Sequence, residues 1–374
     1  MYKLGGSLVS YGGGDTVYSE KACLLCILKV HGLGPKNLKK LKNQFGTYRE
    51  IWEAPIERVS AVIGYSLAQG LNEVRRNCCP DEELSRCRSL NIEVLAEFEK
   101  EYPQAFREIH SPPPLVFYRG NLKALEGMGV AVVGSRRATP YGKMVARKLG
   151  RDLALAGMVV VSGMARGVDS ESHWGCLEGG GMTIGVLGNG IDVVYPRENR
   201  VLYSRVEKQG LLISEYPPGA KPEPGNFPVR NRLISALSRG VVVVEAQEKS
   251  GAMITVGYAL EQGKDVFAVP GPVTSLNSRG PHILLQEGAR LVSGVEDILQ
   301  EWGMERQPVI SKVNSTEGGS PNCLLLDYIG YEPVHLDRIL DMSKLTPGEA
   351  ASQLLQLEIA GKIKSLPGNI YVRL

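Results

Sequence analysis

Residues 130–142 read V-A-V-V-G-S-R-R-A-T-P-Y-G. Four uninterrupted apolar residues, Val130–Val133, suit a strand buried on both faces. Gly134 and Ser135 then permit a sharp turn that points backbone N–H groups outward. Arg136 and Arg137 follow, and a guanidinium fork matches phosphate oxygens. Doubly wound sheets bind ligands in crevices outside the carboxyl ends of their strands. The alternative is a structural turn with two solvated arginines.

The same pattern recurs. Met158–Val161 is a second apolar run, ending in Ser162-Gly163 with Arg166 and Gly167 close behind. Ile184–Leu187 ends in Gly188-Asn189-Gly190, and Val241–Val244 leads through Glu245 to Ser250-Gly251. Small residues at four strand ends predict one sheet edge where a ligand approaches the backbone closely. Helix N-termini at that edge favour anions. From Val116 to about Trp302, apolar strands alternate with amphipathic helices, which predicts βαβ units and an α/β, doubly wound, mostly parallel sheet.

On either side of this core the pattern changes. The first ~95 residues read as helical, within the boundary error of such readings. His31-Gly32-Leu33-Gly34-Pro35 sits there between two helices and precedes Lys36, Lys39 and Lys40. It is either a plain αα-hairpin or a hairpin that turns amides toward a DNA phosphate. Pro112-Pro113-Pro114 introduces the core in extended form. Residues 303–321 read as a linker, polar and rich in Ser, Gly and Asn from Glu305 to Pro321. In residues 322–374, Leu324–Ile329 and His335–Leu340 predict short helices, and Thr346-Pro347-Gly348-Glu349 a capping box. Strands at Lys362–Ser365 and Ile370–Val372 flank Pro367-Gly368-Asn369, which completes a winged helix. Its last helix carries Glu349 and Glu358 and no basic residue, which favours a protein contact or a structural role over DNA reading. The domains expected are therefore 1–95, 96–302 and 322–374, joined by 303–321.

Composition narrows the function class little. A net charge of +3 over 374 residues leaves any electrostatic footprint local. Met1–Lys21 lacks the pattern of a signal peptide, and no apolar run has the length of a bilayer span, so a cytoplasmic protein without membrane contact is expected. Seven cysteines include C-x-x-C at Cys23 and Cys26 without a matching pair, and Cys78-Cys79 with Cys87. Reduced thiols without metal are expected from that spacing.

Familiar chemistries do not fit. The first turn is G-S-R rather than G-x-G-x-x-G, and Ser162-Gly163 replaces the acid that would bind a ribose. Gly257…Gly263-Lys264-Asp265 looks superficially like a P-loop, but its spacing is wrong and Asp265 stands where Ser or Thr is needed. No G-x-S-x-G elbow is present. Asp169 and His173 share a helix face and are expected to brace it. Glu215–Gly219 leads through Lys221 to Asn226-Phe227-Pro228-Val229-Arg230-Asn231-Arg232. Cations with an aromatic ring on a loop entering a helix suit single-stranded nucleic acid. Phe227 either stacks on a base or fills the core. Arg230 and Arg232 either contact phosphate, the favoured reading, or pair with Glu215 or Glu245.

Several segments together resemble the DNA-processing protein A (DprA/Smf) family. They are the opening motif through Gly142, V-S-G-M-A-R-G-V-D-S-E-S-H (Val161–His173) and G-V-L-G-N-G-I-D-V-V-Y-P (Gly185–Pro196). S-E-Y-P-P-G, F-P-V-R-N-R-L-I, V-V-E-A, S-G-A-M-I-T and V-F-A-V-P-G follow in order. The match spans about Tyr102–Gly294, and the flanking regions resemble the family's helical (SAM/helix-hairpin-helix-like) and winged-helix domains. The resemblance implies an extended Rossmann-like domain with no catalytic residue, cofactor or metal. It implies binding of single-stranded DNA, a homodimer, and loading of RecA onto strands covered by single-strand binding protein, in support of natural transformation. Carried over, the DNA-contacting positions are Gly134, Ser135, Arg136, Arg137, Gly163, Arg166, Lys221, Phe227, Arg230, Asn231, Arg232, Ser250 and Gly251. Ala252-Met253 and Arg279-Gly280-Pro281-His282 depart from the family pattern, the latter in a loop that adjoins the pocket.

Two rivals stand beside this. Phosphoribohydrolases of the Lonely-guy type have a related core, but the loop Glu245–Thr255 lacks their double glycine and the following glutamate. Glycosidic cleavage needs a carboxylate beside the developing charge. A small-nucleotide sensor signalling through the winged module is the third reading.

Overall fold

The computed structural model describes residues 18–304, 325–330, 333–343 and 345–373. The linker expected at 303–321 and the first seventeen residues fall almost wholly or entirely outside that set.

Six helices come first: α1 Glu20–Ile27, α2 Pro35–Phe45, α3 Tyr48–Glu53, α4 Ile56–Ile63, α5 Tyr65–Asn77 and α6 Pro80–Ser89. Their apolar faces bury Leu24, Ile27, Leu41, Ile51, Val59 and Leu71 in one core. Cys23, Cys26 and Cys87 lie in that core, and burial pushes the Cys23 and Cys26 thiols up to about 12.

Two antiparallel strands, β1 Glu93–Ala96 and β2 Leu115–Gly120, follow on either side of α7 Gln104–Glu108. The alternating region then supplies β3 Gly129–Val133, α8 Pro140–Leu155, β4 Val159–Ser162, α9 Val168–Glu178, β5 Thr183–Leu187, α10 Arg200–Gln209 and β6 Leu211–Ser214. It continues with α11 Asn226–Ala236, β7 Gly240–Val243, α12 Gly251–Glu261, β8 Asp265–Ala268, α13 Arg279–Gln286, β9 Arg290–Leu291 and α14 Val295–Glu301. The nine strands form one sheet in the order β1-β2-β6-β5-β4-β3-β7-β8-β9. From β6 to β9 all pairs are parallel, and β2 joins β6 antiparallel. The fold is thus the α/β, doubly wound, mostly parallel sheet that the sequence predicts, extended by an antiparallel pair.

Burial on both faces explains the unbroken apolar runs. Val130 and Val132 point into one core with Val160 and Val242. Ala131 and Val133 point into the other with Val161, Val241 and Val243. Successive strand residues alternate faces, so both sets must be apolar when helices cover both sides. The chain winds β3→β4→β5→β6 in one direction and then resumes at β7 on the far side of β3. That reversal opens a crevice between the carboxyl ends of β3 and β7.

The C-terminal module has its own core of Leu325, Ile329, Ile339, Ala350, Leu354, Leu357 and Ile363. It contains β10 Val334–His335, α15 Leu336–Ser343, α16 Pro347–Ile359, β11 Ile363–Leu366 and β12 Ile370–Arg373. The Thr346–Glu349 capping box forms as the sequence predicts. Two details differ. His335 pairs in a strand with Ile370 instead of opening a helix, and only a short 3-10 turn, Leu325–Asp327, occupies the first predicted helix.

Candidate functional site

The crevice at the β3/β7 reversal is a cavity of about 550 Å³. Each wall comes from a different strand end. After β3 come Gly134, Ser135, Arg136 and Arg137, and after β4 come Ala165 and Asp169. The start of α11 gives Phe227, Arg230 and Asn231, and the start of α12 gives Ser250, Gly251 and Thr255.

Close backbone approach builds the β3 wall. The Ser135 N–H donates to the Glu245 carbonyl at 2.6 Å. A β-carbon on Gly134 would lie 2.7 Å from that carbonyl oxygen, so only glycine fits. The buried Glu245 side chain accepts from the Thr139 N–H and hydroxyl, and thereby holds the start of α8. A carboxylate at a helix N-terminus also meets the positive end of the helix dipole. The Arg137 N–H donates to Ser135 Oγ, which closes the turn and leaves both arginine side chains exposed. Neither Arg136 nor Arg137 makes an ion pair with the described residues. Arg136 Cζ sits 5.3 Å from the centre of the Phe227 ring, within cation–π range. Phe227 in turn faces Tyr195, with ring centres 5.5 Å apart. The half-buried Phe227 ring therefore both packs on its neighbours and lines the cavity.

The floor holds two buried groups of opposite charge. Arg230 is 3% exposed and Asp169 8%. Arg230 Nη1 donates to the carbonyls of Gly163, at 3.0 Å, and Val186, and Nε donates to Asn231 Oδ1. Asp169 accepts from the N–H groups of Gly163 and Ala165. Burial lowers the Arg230 pKa while Asp169 opposes that shift. Burial raises the Asp169 carboxyl, against the pull of Arg230 and the two N–H groups. A buried guanidinium must satisfy its donors, so Arg230 ties α11 to the ends of β4 and β5.

Arg230 and Arg232, both read as phosphate contacts, stand in different places: Arg230 lines the cavity and Arg232 does not. Residues two apart on a helix point to opposite sides. Arg232 lies outside the cavity, bound to both Glu215 carboxylate oxygens at 2.6 and 2.9 Å and to the Ser111 carbonyl. Arg166 is exposed and paired with Glu198, beside Arg136, Gly163 and Phe227 in an adjoining cleft. Lys221 is exposed on the loop before α11, next to the lining residue Pro222. The Asn231 side-chain amide donates to the Gly251 carbonyl and joins α11 to α12. Ser250 Oγ is buried without a hydrogen-bond partner among the described residues.

Other expectations resolve as follows. His173 is fully buried, with Nδ1 2.7 Å from Thr183 Oγ1, so it and Asp169 brace their helix as expected. Gly257 lies inside α12, which removes the P-loop likeness. Arg279–His282 form the first turn of α13, tied to the segment after β7 by the Gly280 N–H, which donates to the Ala246 carbonyl. Tyr195 and Thr255 are among the lining residues that the sequence reading missed. The Tyr195-Pro196 step after Gly-Asn-Gly was the available signal for the first. Thr255, one turn after Ser250 on α12, was the signal for the second.

The fold and site define a Rossmann-like protein with a cationic, glycine-lined cavity at its sheet reversal. The model of the family DNA recombination-mediator protein A matches residues 93–303, and that of the DprA winged helix domain matches residues 321–369. The chain is 34% identical to Protein Smf of Synechocystis sp., over 95% of this chain and 99% of that protein. It is 42% identical to DNA processing protein DprA of Bacillus subtilis, over 58% and 74% of the two chains. The solved structure of DprA from Streptococcus pneumoniae aligns with TM-score 0.67 and 36% identity, over 75% of this chain and 97% of that one. DprA from Helicobacter pylori, described for its single-stranded DNA binding mode, aligns with TM-score 0.51 and 33% identity, over 56% and 95%. The chain belongs to the DprA/Smf family of DNA recombination-mediator proteins.

Proposed function

We propose that the cavity binds single-stranded DNA, and that the protein processes incoming strands during natural transformation. The carrying observation is the Arg136–Phe227 pair, both residues lining a cavity whose walls are otherwise rich in small residues. Cations along phosphates and an aromatic surface beside bases suit single strands of any sequence. Arg136, Arg137, Ser135 and Gly134 form the phosphate-holding edge, with Arg166 and Lys221 flanking it and Ser250 and Gly251 at the α12 N-terminus opposite. Gly163, Arg230 and Asn231 position that edge. Arg232 is assigned to the Glu215 contact. The single-stranded DNA binding of the Helicobacter pylori relative supports the assignment.

Following the family resemblance, the partners proposed are RecA, single-strand binding protein and a second copy of this chain, acting in the cytoplasm. No described helix is long and apolar enough to cross a membrane. Binding without catalysis is favoured over glycosidic cleavage. Among the described residues Asp169 is the single carboxylate lining the cavity, and Glu245 is engaged by Thr139. Glycoside hydrolysis uses two carboxylates flanking the bond. The test is RecA filament formation on a strand covered by single-strand binding protein. The wild type is expected to speed nucleation without releasing ribose 5-phosphate from nucleoside monophosphates. Release of that sugar phosphate would replace this reading with the hydrolase.

A further inference from the structure

Helix α2 is P-K-N-L-K-K-L-K-N-Q-F and contains no acid. Its apolar residues Leu38 and Leu41 are buried. Lys42 is drawn to Glu97 and lies over the Tyr48 ring. Lys36, Lys39 and Lys40 are exposed and make no ion pair with the described residues. Elsewhere in the helical region lysines are matched, Lys21 with Glu99 and Lys29 with Glu83. Three unmatched ammonium groups within five residues cost repulsion unless an anion meets them.

A second element meets α2 at this end. A β-carbon on Gly32 would lie 3.6 Å from Leu67 Cδ2, so the Gly32–Gly34 hairpin rests on the first turn of α5. That turn begins with Tyr65, which is 73% exposed, and an exposed Ser66. Neither α2 nor α5 has an acid in its first turn or a side-chain cap on its N-terminus. Lysines, Tyr and Ser hydroxyls and free helix N–H groups are all phosphate-contacting groups.

We propose that Lys36, Lys39 and Lys40, with the hairpin and Tyr65-Ser66, form a surface for the phosphate backbone of duplex DNA. Charge complementarity argues for the occupant. A duplex carries twice the axial charge density of one strand, and it presents phosphates without unstacked bases. The surface is distinct from the strand-binding cavity, whose lining includes none of these residues.

The test uses the full chain, a blunt duplex and an oligo-dT strand, titrated across salt. Lys36→Gln/Lys39→Gln/Lys40→Gln keeps helix propensity nearly unchanged. Lys100→Gln/Lys123→Gln/Lys208→Gln removes the same charge from exposed positions elsewhere. The first triple variant is expected to lose duplex affinity about tenfold and to flatten the log–log salt slope by about 2 to 3, since each lost phosphate contact removes about 0.9. Its strand affinity should change less than about twofold relative to the control triple, as the cavity is separate. A wild type that does not bind duplex would overturn the proposal. So would a first triple that loses no more duplex affinity than the control.

Discussion

The Arg136 guanidinium carbon lies 5.3 Å from the centre of the Phe227 ring, at the mouth of the sheet-edge cavity. Arg136 comes from the turn after β3 and Phe227 from the first turn of α11, about ninety positions later in the chain. The pair brings a phosphate-seeking cation and a base-sized apolar ring to one rim. Phe227→Ala should weaken strand binding about five- to hundredfold, the range for one lost stacking contact of 1–3 kcal/mol. Equal loss for oligo-dT and oligo-dA in a titration would mark the contact as sequence-tolerant.

Arg232→Ala should act on stability and leave strand binding alone. Its guanidinium is committed to Glu215 and the Ser111 carbonyl, away from the cavity. Removing one partner of a largely buried pair strands the other charge, at about 2 kcal/mol or more. Urea unfolding should show that loss while strand affinity stays within about threefold, as additive, separate sites require.

Gly163→Ala should damage both. The added β-carbon would lie 2.6 Å from Arg230 Nη2 and 2.8 Å from Asp169 Oδ2. Overpacking against two buried charged groups that are each hydrogen-bonded in place costs about 1–3 kcal/mol. The floor would shift with it, so a lower melting temperature and weaker strand binding should appear together.

His173 makes the fold acid-sensitive. Burial lowers its pKa to about 3. An unfolded histidine titrates near 6.5, so the unfolded chain binds more protons below that pH. The contribution is full above about 6.5 and is lost as pH falls toward 3. Between pH 7.5 and 5.0 this residue alone should remove about 2 kcal/mol. In His173→Gln that component of the pH dependence should vanish from urea titrations.

Much of this architecture was legible in local patterns. Unbroken runs such as Val130–Val133 suited strands covered on both faces, and the glycines after them suited close backbone approach. Pairings across the sequence were less legible. Arg230 and Arg232 look equivalent in a linear reading, yet two residues of helix separate a cavity floor from an ion pair. Glu245 looked available to an arginine, but the Thr139 N–H group, 106 residues away, claims it. Tyr195 joins the site only because its loop folds over Phe227. Strand β1 was hidden at the end of the region read as helical, and with it the antiparallel pairing of β1 with β2.

The most direct measurement is fluorescence anisotropy of a labelled oligo-dT strand with wild type and folded Arg136→Ala. Loss of a charge-assisted phosphate contact is worth about 1.5–3 kcal/mol, so affinity should fall about ten- to hundredfold and its salt slope by nearly one unit. Wild-type affinity retained by the variant would contradict strand binding at this cavity.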